Sequence, residues 1–150
     1  MALNDGRISW PTYFMSIATL VAERSTCLRR KVGAVAIRNS RILATGYNGA
    51  PSGIPHCLNV GCIREVKGIP SGQQLDICRA VHAEQNLIIQ AALHGISLHR
   101  SDVYCTCKPC FTCAKMLINV GVKSIIISQA YPDDNTDKLL EDAGVRLVYI

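Results

Sequence analysis

The sequence is poor in aromatic and charged residues and has no long hydrophobic run. Aromatic residues make up 5% of the 150 residues, which disfavours a stacking surface for single-stranded nucleic acid. No run approaches the roughly 18 apolar residues of a membrane-spanning helix, and the first residues lack the apolar core of a signal peptide. Apolar residues at 49% and charged residues at 18% exclude a disordered composition. We therefore expect one globular, cytoplasmic domain over residues 1–150, with no membrane contact.

Cysteine, in contrast, is abundant. Eight cysteines occur in a chain with no recognisable secretion signal, and in a reducing compartment such a number favours metal binding over disulfides. The net charge of +5 mildly favours phosphate-bearing partners through the overall field of the protein. Solubility alone explains the same charge, so the charge does not decide between functions.

The order of periodic segments predicts an α/β fold. Apolar residues recur at helical spacing, alternation or short apolar runs indicate strands, and Arg38 to Arg41 have the composition of a hairpin turn. A Cys-, Pro- and Gly-rich insertion covers residues 49–80, irregular from Gly49 to Gly72. We predict a three-layer α/β/α domain with a central mixed five-stranded sheet. The predicted helices are Trp10–Arg24, His82–Leu93, Phe111–Val120 and Thr136–Ala143, and the predicted strands are Val32–Ile37, Ile42–Thr45, Asp102–Thr106, Lys123–Ser128 and Val145–Ile150.

Two short motifs carry ligands for a metal. His82-Ala83-Glu84 opens one predicted helix, and Pro109-Cys110-Phe111-Thr112-Cys113 opens another. Cys110 and Cys113 are three residues apart and share a helix face, so both thiolates can reach one ion. A helix N-terminus also stabilises a thiolate. Two thiolates and the His82 imidazole predict a tetrahedral Zn²⁺ site with its fourth position open, as in catalytic rather than structural zinc sites.

Glu84 is the candidate general acid and base. It follows His82 too closely to be an obvious further ligand, and it can take a proton from water and return it elsewhere. The pair His-x-Glu and Pro-Cys-x-x-Cys is typical of zinc-dependent nucleobase deaminases. A Cys-x-x-Cys alone also occurs in structural zinc sites and redox pairs, which remain the alternatives.

Beyond these motifs, the chain resembles the deoxycytidylate (dCMP) deaminase family along nearly its whole length. Histidine at position 82 distinguishes it from the usual cytidine deaminases, which have cysteine there. The matching stretches are Tyr13-Phe14-Met15, Ala22 to Cys27, Val32 to Val35, Thr45 to Gly49, His82 to Asn86, Pro109 to Lys115, and Tyr131.

The resemblance implies an enzyme that converts dCMP to dUMP for thymidylate synthesis. It further implies a zinc-dependent homo-oligomer, commonly a hexamer. Regulation by dCTP and dTTP through residues 46–49 is a family property that not every member has. Asn48 is expected to contact the sugar, although an Asn-Gly turn explains it as well. Tyr131 is expected to line the pocket, or to be an ordinary half-buried tyrosine.

A 5′-phosphate requires cationic or backbone donors. The candidates are Ser25, Arg29, Arg30 and Lys31, between the first helix and the first strand. A solvated basic loop is an equal alternative, because exposed lysine and arginine are the norm.

The remaining cysteines suggest a second metal. Related dCMP deaminases carry a structural zinc whose cysteines match Cys27 and Cys57. We extend this set with Cys62 and Cys78, since four thiolates form a closed site that can pin a long insertion, and His56 could replace either. Scattered buried thiols are the alternative. Cys105 and Cys107 alternate on a predicted strand and are expected to be core residues.

Two other functions stay open at this stage. One is deamination of another small base or nucleotide, such as dCTP, cytidine or guanine. The other is a zinc-stabilised nucleic-acid-binding module. Low aromatic content disfavours the module, so no nucleic-acid partner is expected, and turnover assays separate the substrates.

Overall fold

A computed structural model describes residues 5–130 and 132–150. No helix in these ranges is both long enough and apolar enough to cross a bilayer. The helices are α1 (Trp10–Ala22), α2 (Cys57–Val60), α3 (Ile63–Val66), α4 (Ala83–Leu93), α5 (Phe111–Asn119) and α6 (Asp134–Asp142). The strands are β1 (Gly33–Arg38), β2 (Arg41–Tyr47), β3 (Asp102–Cys105), β4 (Ser124–Ile127) and β5 (Arg146–Tyr149).

The five strands form one mixed sheet in the order β2-β1-β3-β4-β5. The β1–β2 pair is the predicted hairpin, and its two turn residues, Asn39 and Ser40, have φ of 53° and 58°. Positive φ at both positions matches the twist of the flanking strands. β1 pairs antiparallel with β3, whereas β3, β4 and β5 run parallel and are joined by α5 and α6. The predicted mixed five-stranded sheet is confirmed.

Helices cover both faces of the sheet, which confirms the three layers. On one face, Phe14 and Ala18 of α1 pack against Val35 of β1 and Tyr104 of β3. The other face packs against α4, α5 and α6. Its core contains the fully buried side chains Leu87, Leu117, Ile125, Ile127 and Leu140.

The insertion at residues 49–80 is not wholly irregular. It contains the one-turn helices α2 and α3 and a 3-10 turn at Leu75–Ile77. Its two ends are tied together, because Gly49 and Val81 exchange backbone hydrogen bonds of 3.1 and 2.8 Å. One-turn helices are too short to show apolar periodicity, which is why the sequence pattern does not predict them.

Gly46 lets β2 approach α4 closely. A Cβ on Gly46 would lie 2.3 Å from the carbonyl oxygen of Ala83 and 2.4 Å from the amide nitrogen of Leu87. Because both atoms belong to the helix backbone, they cannot rotate away. We therefore expect Gly46→Ala to lower the free energy of unfolding by about 3 kcal/mol and to reduce zinc retention, since His82 precedes this helix. Denaturant titration and metal analysis measure the two effects.

Gly53→Ala is the matched control. Gly53 lies in the insertion at φ +88°, and its Cβ position has no heavy atom within 4 Å. The substitution there adds only left-handed backbone strain of about 1 kcal/mol. Equal destabilisation by the two variants would contradict the close-approach explanation.

Candidate zinc centre and active site

His82 stands at the N-cap position of α4, with extended backbone angles (φ −69°, ψ 158°). Its backbone N–H donates to Oε1 of Gln85 at 2.8 Å, which satisfies an amide that the helix itself cannot bond. Asn86 donates from its side chain to the carbonyl of Tyr47 at 2.7 Å. The start of α4 is thus held both internally and against β2.

The second motif stands at the start of α5. Cys110 is its N-cap residue and Cys113 lies three residues later, fully buried. Nδ1 of His82 is 3.6 Å from Sγ of Cys110 and 3.4 Å from Sγ of Cys113. A tetrahedral zinc with bonds of about 2.3 Å to sulfur and about 2.0 Å to nitrogen separates such atoms by about 3.5 Å. The donor set therefore fits Zn²⁺.

The electrostatics of this cluster also favour a cation. A hydrogen bond from Cys113, together with one from His82, lowers the pKa of Cys110 to about 4. The same bond to Cys110 and burial raise the pKa of Cys113. One thiolate is thus already stabilised, and a bound Zn²⁺ would deprotonate the second. Within the described ranges, this is the one group of three or more His, Cys, Asp or Glu side chains whose ligand atoms all lie within 4.8 Å of one another.

Glu84 lies beside the cluster without joining it. Its side chain is 4% exposed, and burial raises the pKa of its carboxyl group. The Cys105 thiol donates to its Oε1 at 3.5 Å. A buried carboxylate with a raised pKa next to a zinc site is suited to take up and release a proton.

One cavity joins these groups to a set of cations. Glu84, His82 and Cys110 line it together with Asn48 and Cys107. Four basic side chains also line it: Arg29, Arg30, Arg64 and Lys108. A concave site with convergent polar groups and a shifted carboxyl pKa is typical of an active site.

The structure brings some of the predicted substrate residues to this cavity and leaves others outside. Asn48 lines it, and its side chain also accepts from the amide of Val32 at 2.9 Å and donates to the carbonyl of Arg30 at 2.8 Å. Ser25 is not among the lining residues and accepts from the amide of Cys27. Lys31 is not among them either and forms an exposed ion pair with Glu23. Tyr131 lies outside the described residues.

The proposed structural-zinc cysteines are neighbours without forming a ligand cluster. Burial raises the pKa of Cys57, Arg79 opposes the rise, and Cys27, Cys62 and Cys78 add to it. No three of their sulfur atoms lie within 4.8 Å of one another, unlike the ligand atoms of His82, Cys110 and Cys113. All eight cysteines are free thiols.

Two features of the cavity were missed by the sequence interpretation. Cys105 and Cys107 are both buried, as expected for core thiols, but β3 ends at Cys105. Cys107, beyond the strand, also lines the cavity and accepts from Nη1 of Arg30 at 3.2 Å. Arg64 and Lys108 were not candidates, since neither belongs to a motif and no local pattern marks a cation for burial.

Comparison with known proteins identifies the family of this chain. Residues 8–129 match the family described as the cytidine and deoxycytidylate deaminase zinc-binding region. The chain belongs to the cytidine and deoxycytidylate deaminase family. Deaminases of this family include Deoxycytidylate deaminase of Schizosaccharomyces pombe, 39% identical over 96% of this chain. The match covers 45% of the yeast protein, so the chain spans less than half the length of that relative.

Other proteins match over more of their own length. ComE operon protein 2 of Bacillus subtilis is 38% identical over 94% of this chain and 71% of its own. The crystal structure of dCMP deaminase from the cyanophage S-TIM5 in complex with dCMP and dUMP has a TM-score of 0.78 and 31% identity. That match covers 93% of this chain and 95% of the phage chain, which confirms the deaminase fold.

Proposed function

We propose that this protein catalyses the zinc-dependent hydrolytic deamination of dCMP to dUMP. The observation that carries the proposal is the buried Glu84 carboxyl beside the His82–Cys110–Cys113 cluster, in a cavity lined by four cations. The similarity to the phage enzyme that binds dCMP and dUMP supports the choice of substrate. The product dUMP would supply thymidylate synthesis.

The residues divide the chemistry between them. His82, Cys110 and Cys113 would hold the zinc, which supplies a water whose pKa is lowered to roughly 7. Glu84 takes a proton from the attacking water and gives it to the ring nitrogen next to the amine-bearing carbon. Glu84 then takes the proton of the hydroxyl group added to that carbon and gives it to the departing amine, so that the carbonyl forms as the C–N bond breaks and dCMP and water yield dUMP and ammonia. Burial of Glu84 keeps bulk water from competing for this proton.

Two alternatives predict different behaviour. A deaminase of dCTP, cytidine or guanine would use the same zinc and the same glutamate with another base or phosphate group. A zinc-stabilised nucleic-acid-binding module would need exposed cations. Arg64 is instead buried in the cavity, which favours a small anionic ligand, whereas the buried Lys108 already pairs with Asp137.

A substrate panel separates these functions. Zinc-loaded protein is assayed with dCMP, deoxycytidine, dCTP, cytidine and guanine, with and without a chelator. We expect kcat/KM to be highest for dCMP, because the 5′-phosphate is the group that distinguishes it from deoxycytidine. Preferred turnover of another substrate, or salt-dependent nucleic-acid binding without turnover, would contradict the proposal.

We also propose a second, structural zinc held by Cys27, Cys57, Cys62 and Cys78. Cys27, Cys62 and Cys78 each raise the pKa of Cys57 through their charges, so the four thiols are close enough to interact. This proximity supports the proposed site. Binding would require the four sulfur atoms to draw closer, with Zn–S bonds of about 2.3 Å. His56 is exposed, whereas Cys62 is buried, which favours Cys62 over His56 as a ligand.

Metal analysis of fully active protein is expected to give two zinc ions per chain. Cys57→Ala should reduce the content to one and lower thermal stability, because the site closes the insertion against the domain. Full activity at one zinc per wild-type chain would contradict the second site.

Assembly, regulation and compartment are the remaining parts of the proposed function. We propose a homo-oligomer, which by resemblance is a hexamer. The exposed apolar side chains Trp10 and Leu20 (56% and 71% exposed) are consistent with subunit contacts.

We also propose regulation by dCTP and dTTP, which their effects on dCMP turnover would test. The proposed compartment is the cytoplasm, because eight free thiols fit a reducing environment.

A further inference from the structure

We propose that Arg64, in the insertion, binds the 5′-phosphate of the nucleotide, so that the insertion selects nucleoside monophosphates over nucleosides. This proposal rests on the proposed function. It names the 5′-phosphate as the part of the substrate that the cations of the cavity bind. No sequence motif places Arg64 in the site, and the expectation from sequence was a phosphate site between α1 and β1.

Arg64 is a buried charge with too few partners. The residue is 7% exposed, on the one-turn helix α3. Its Nη2 donates to the carbonyl of Pro70 at 3.4 Å, and its Nε is buried without a hydrogen-bond partner. No carboxylate within residues 5–130 and 132–150 forms an ion pair with it. An unpaired buried cation costs free energy, and a bound anion would remove that cost.

Arg29 provides a second guanidinium in the same cavity. Its Nη2 donates to the carbonyl of Ile69 at 2.6 Å, and its Nη1 is buried without a partner. Its Nε lies 3.6 Å from Oε1 of Glu65, a half-exposed carboxylate. Of the two guanidinium groups, only that of Arg29 forms an ion pair within the described residues. Each group has one buried nitrogen without a hydrogen-bond partner.

The position of Arg64 relative to the catalytic groups fits a nucleoside monophosphate. Arg64 and Arg29 line the cavity that also contains His82 and Glu84. A base at the zinc cluster would therefore have its phosphate in the same cavity. A phosphate group carries a charge of about −1.5 to −2 at neutral pH and matches the planar donors of arginine.

Equilibrium binding of the product tests this role without requiring turnover. Zinc-loaded wild type, Arg64→Gln and Arg64→Lys are titrated calorimetrically with dUMP and with deoxyuridine. We expect Arg64→Gln to weaken dUMP binding by about 10- to 100-fold, the usual range for a charge-assisted hydrogen bond, and to leave deoxyuridine binding unchanged. Arg64→Lys keeps the positive charge but not the planar, forked donors of arginine. Its dUMP affinity should therefore lie between those of the wild type and Arg64→Gln.

Arg79→Gln is the matched control. Arg79 lies at the exit of the insertion, and its Nε is likewise buried without a partner, but it does not line the cavity. Its replacement should leave the ratio of the dUMP and deoxyuridine affinities as in the wild type. Zinc content and circular dichroism establish that each variant is folded, and Arg64→Lys serves if Arg64→Gln does not fold.

The outcomes separate this proposal from the proposed function. Equal loss of dUMP and deoxyuridine binding in the Arg64 variants would show a structural role and overturn the proposal. A wild type that binds the two ligands equally well would also overturn it. Failure of the wild type to convert dCMP would instead contradict the proposed function, while the binding ratio would still report on Arg64.

Discussion

Replacing Glu84 with glutamine is expected to lower kcat for dCMP by about 1,000-fold or more while zinc stays bound. In the proposed mechanism Glu84 would transfer two protons, one from water to the ring nitrogen and one from the added hydroxyl group to the leaving amine, and an amide can do neither. A single positioned acid or base contributes about 100- to 10,000-fold. The amide has nearly the same size and can still accept the Cys105 hydrogen bond to Oε1, so the cavity should keep its shape.

Steady-state turnover and zinc content measure this prediction together. Glu141→Gln is the matched control, because Glu141 is an exposed residue on α6 and its replacement should change neither quantity. Glu84→Gln should retain the zinc content of the wild type, since Glu84 lies outside the ligand cluster. A glutamine variant that turns over dCMP at the wild-type rate would remove Glu84 from the mechanism.

Cys113→Ala is expected to lower the affinity of the catalytic zinc by more than about 100-fold. Loss of an outer partner of a metal ligand already costs about 10- to 100-fold, and this substitution removes a ligand itself. Cys113 is fully buried at the start of α5, so no water can easily take its place. Turnover of dCMP should fall to background at one equivalent of added zinc.

Cys105→Ala is the control for removing a buried thiol. Cys105 is also fully buried but contacts Glu84 rather than the cluster. Competition with a chromophoric chelator should give the wild-type affinity for Cys105→Ala and a weaker one for Cys113→Ala. Unchanged zinc affinity in Cys113→Ala would contradict the assignment of the ligands.

The grouping of His82, Cys110 and Cys113 at the candidate site could be predicted because these residues are placed by local rules. Cys110 and Cys113 are placed by one turn of α5, and His82 and Glu84 by the first turn of α4. A spacing of three residues fixes a shared helix face in any fold. The β1–β2 hairpin and the parallel pairs β3–β4 and β4–β5 followed from the order of the elements, since a hairpin pairs antiparallel and a single helix joins parallel neighbours.

The rest of the cavity depends on long-range packing that spacing does not encode. Lys31, a predicted phosphate ligand, points to Glu23 at the surface, while Arg64, 33 positions later, is buried in the cavity. The insertion brings Arg64 there through one-turn helices that have no periodic signal. The alternation in sequence predicts that Cys107 belongs to a strand, but β3 ends at Cys105, two residues earlier.

Product analysis with dCMP tests the central claim most directly. Zinc-loaded protein is incubated with dCMP, and dUMP and ammonia are quantified over time, with a chelated sample in parallel. We predict one dUMP and one ammonia for each dCMP consumed, and loss of both products on zinc removal with recovery when zinc is restored. Unchanged dCMP in the presence of folded protein with its catalytic zinc bound would contradict the account.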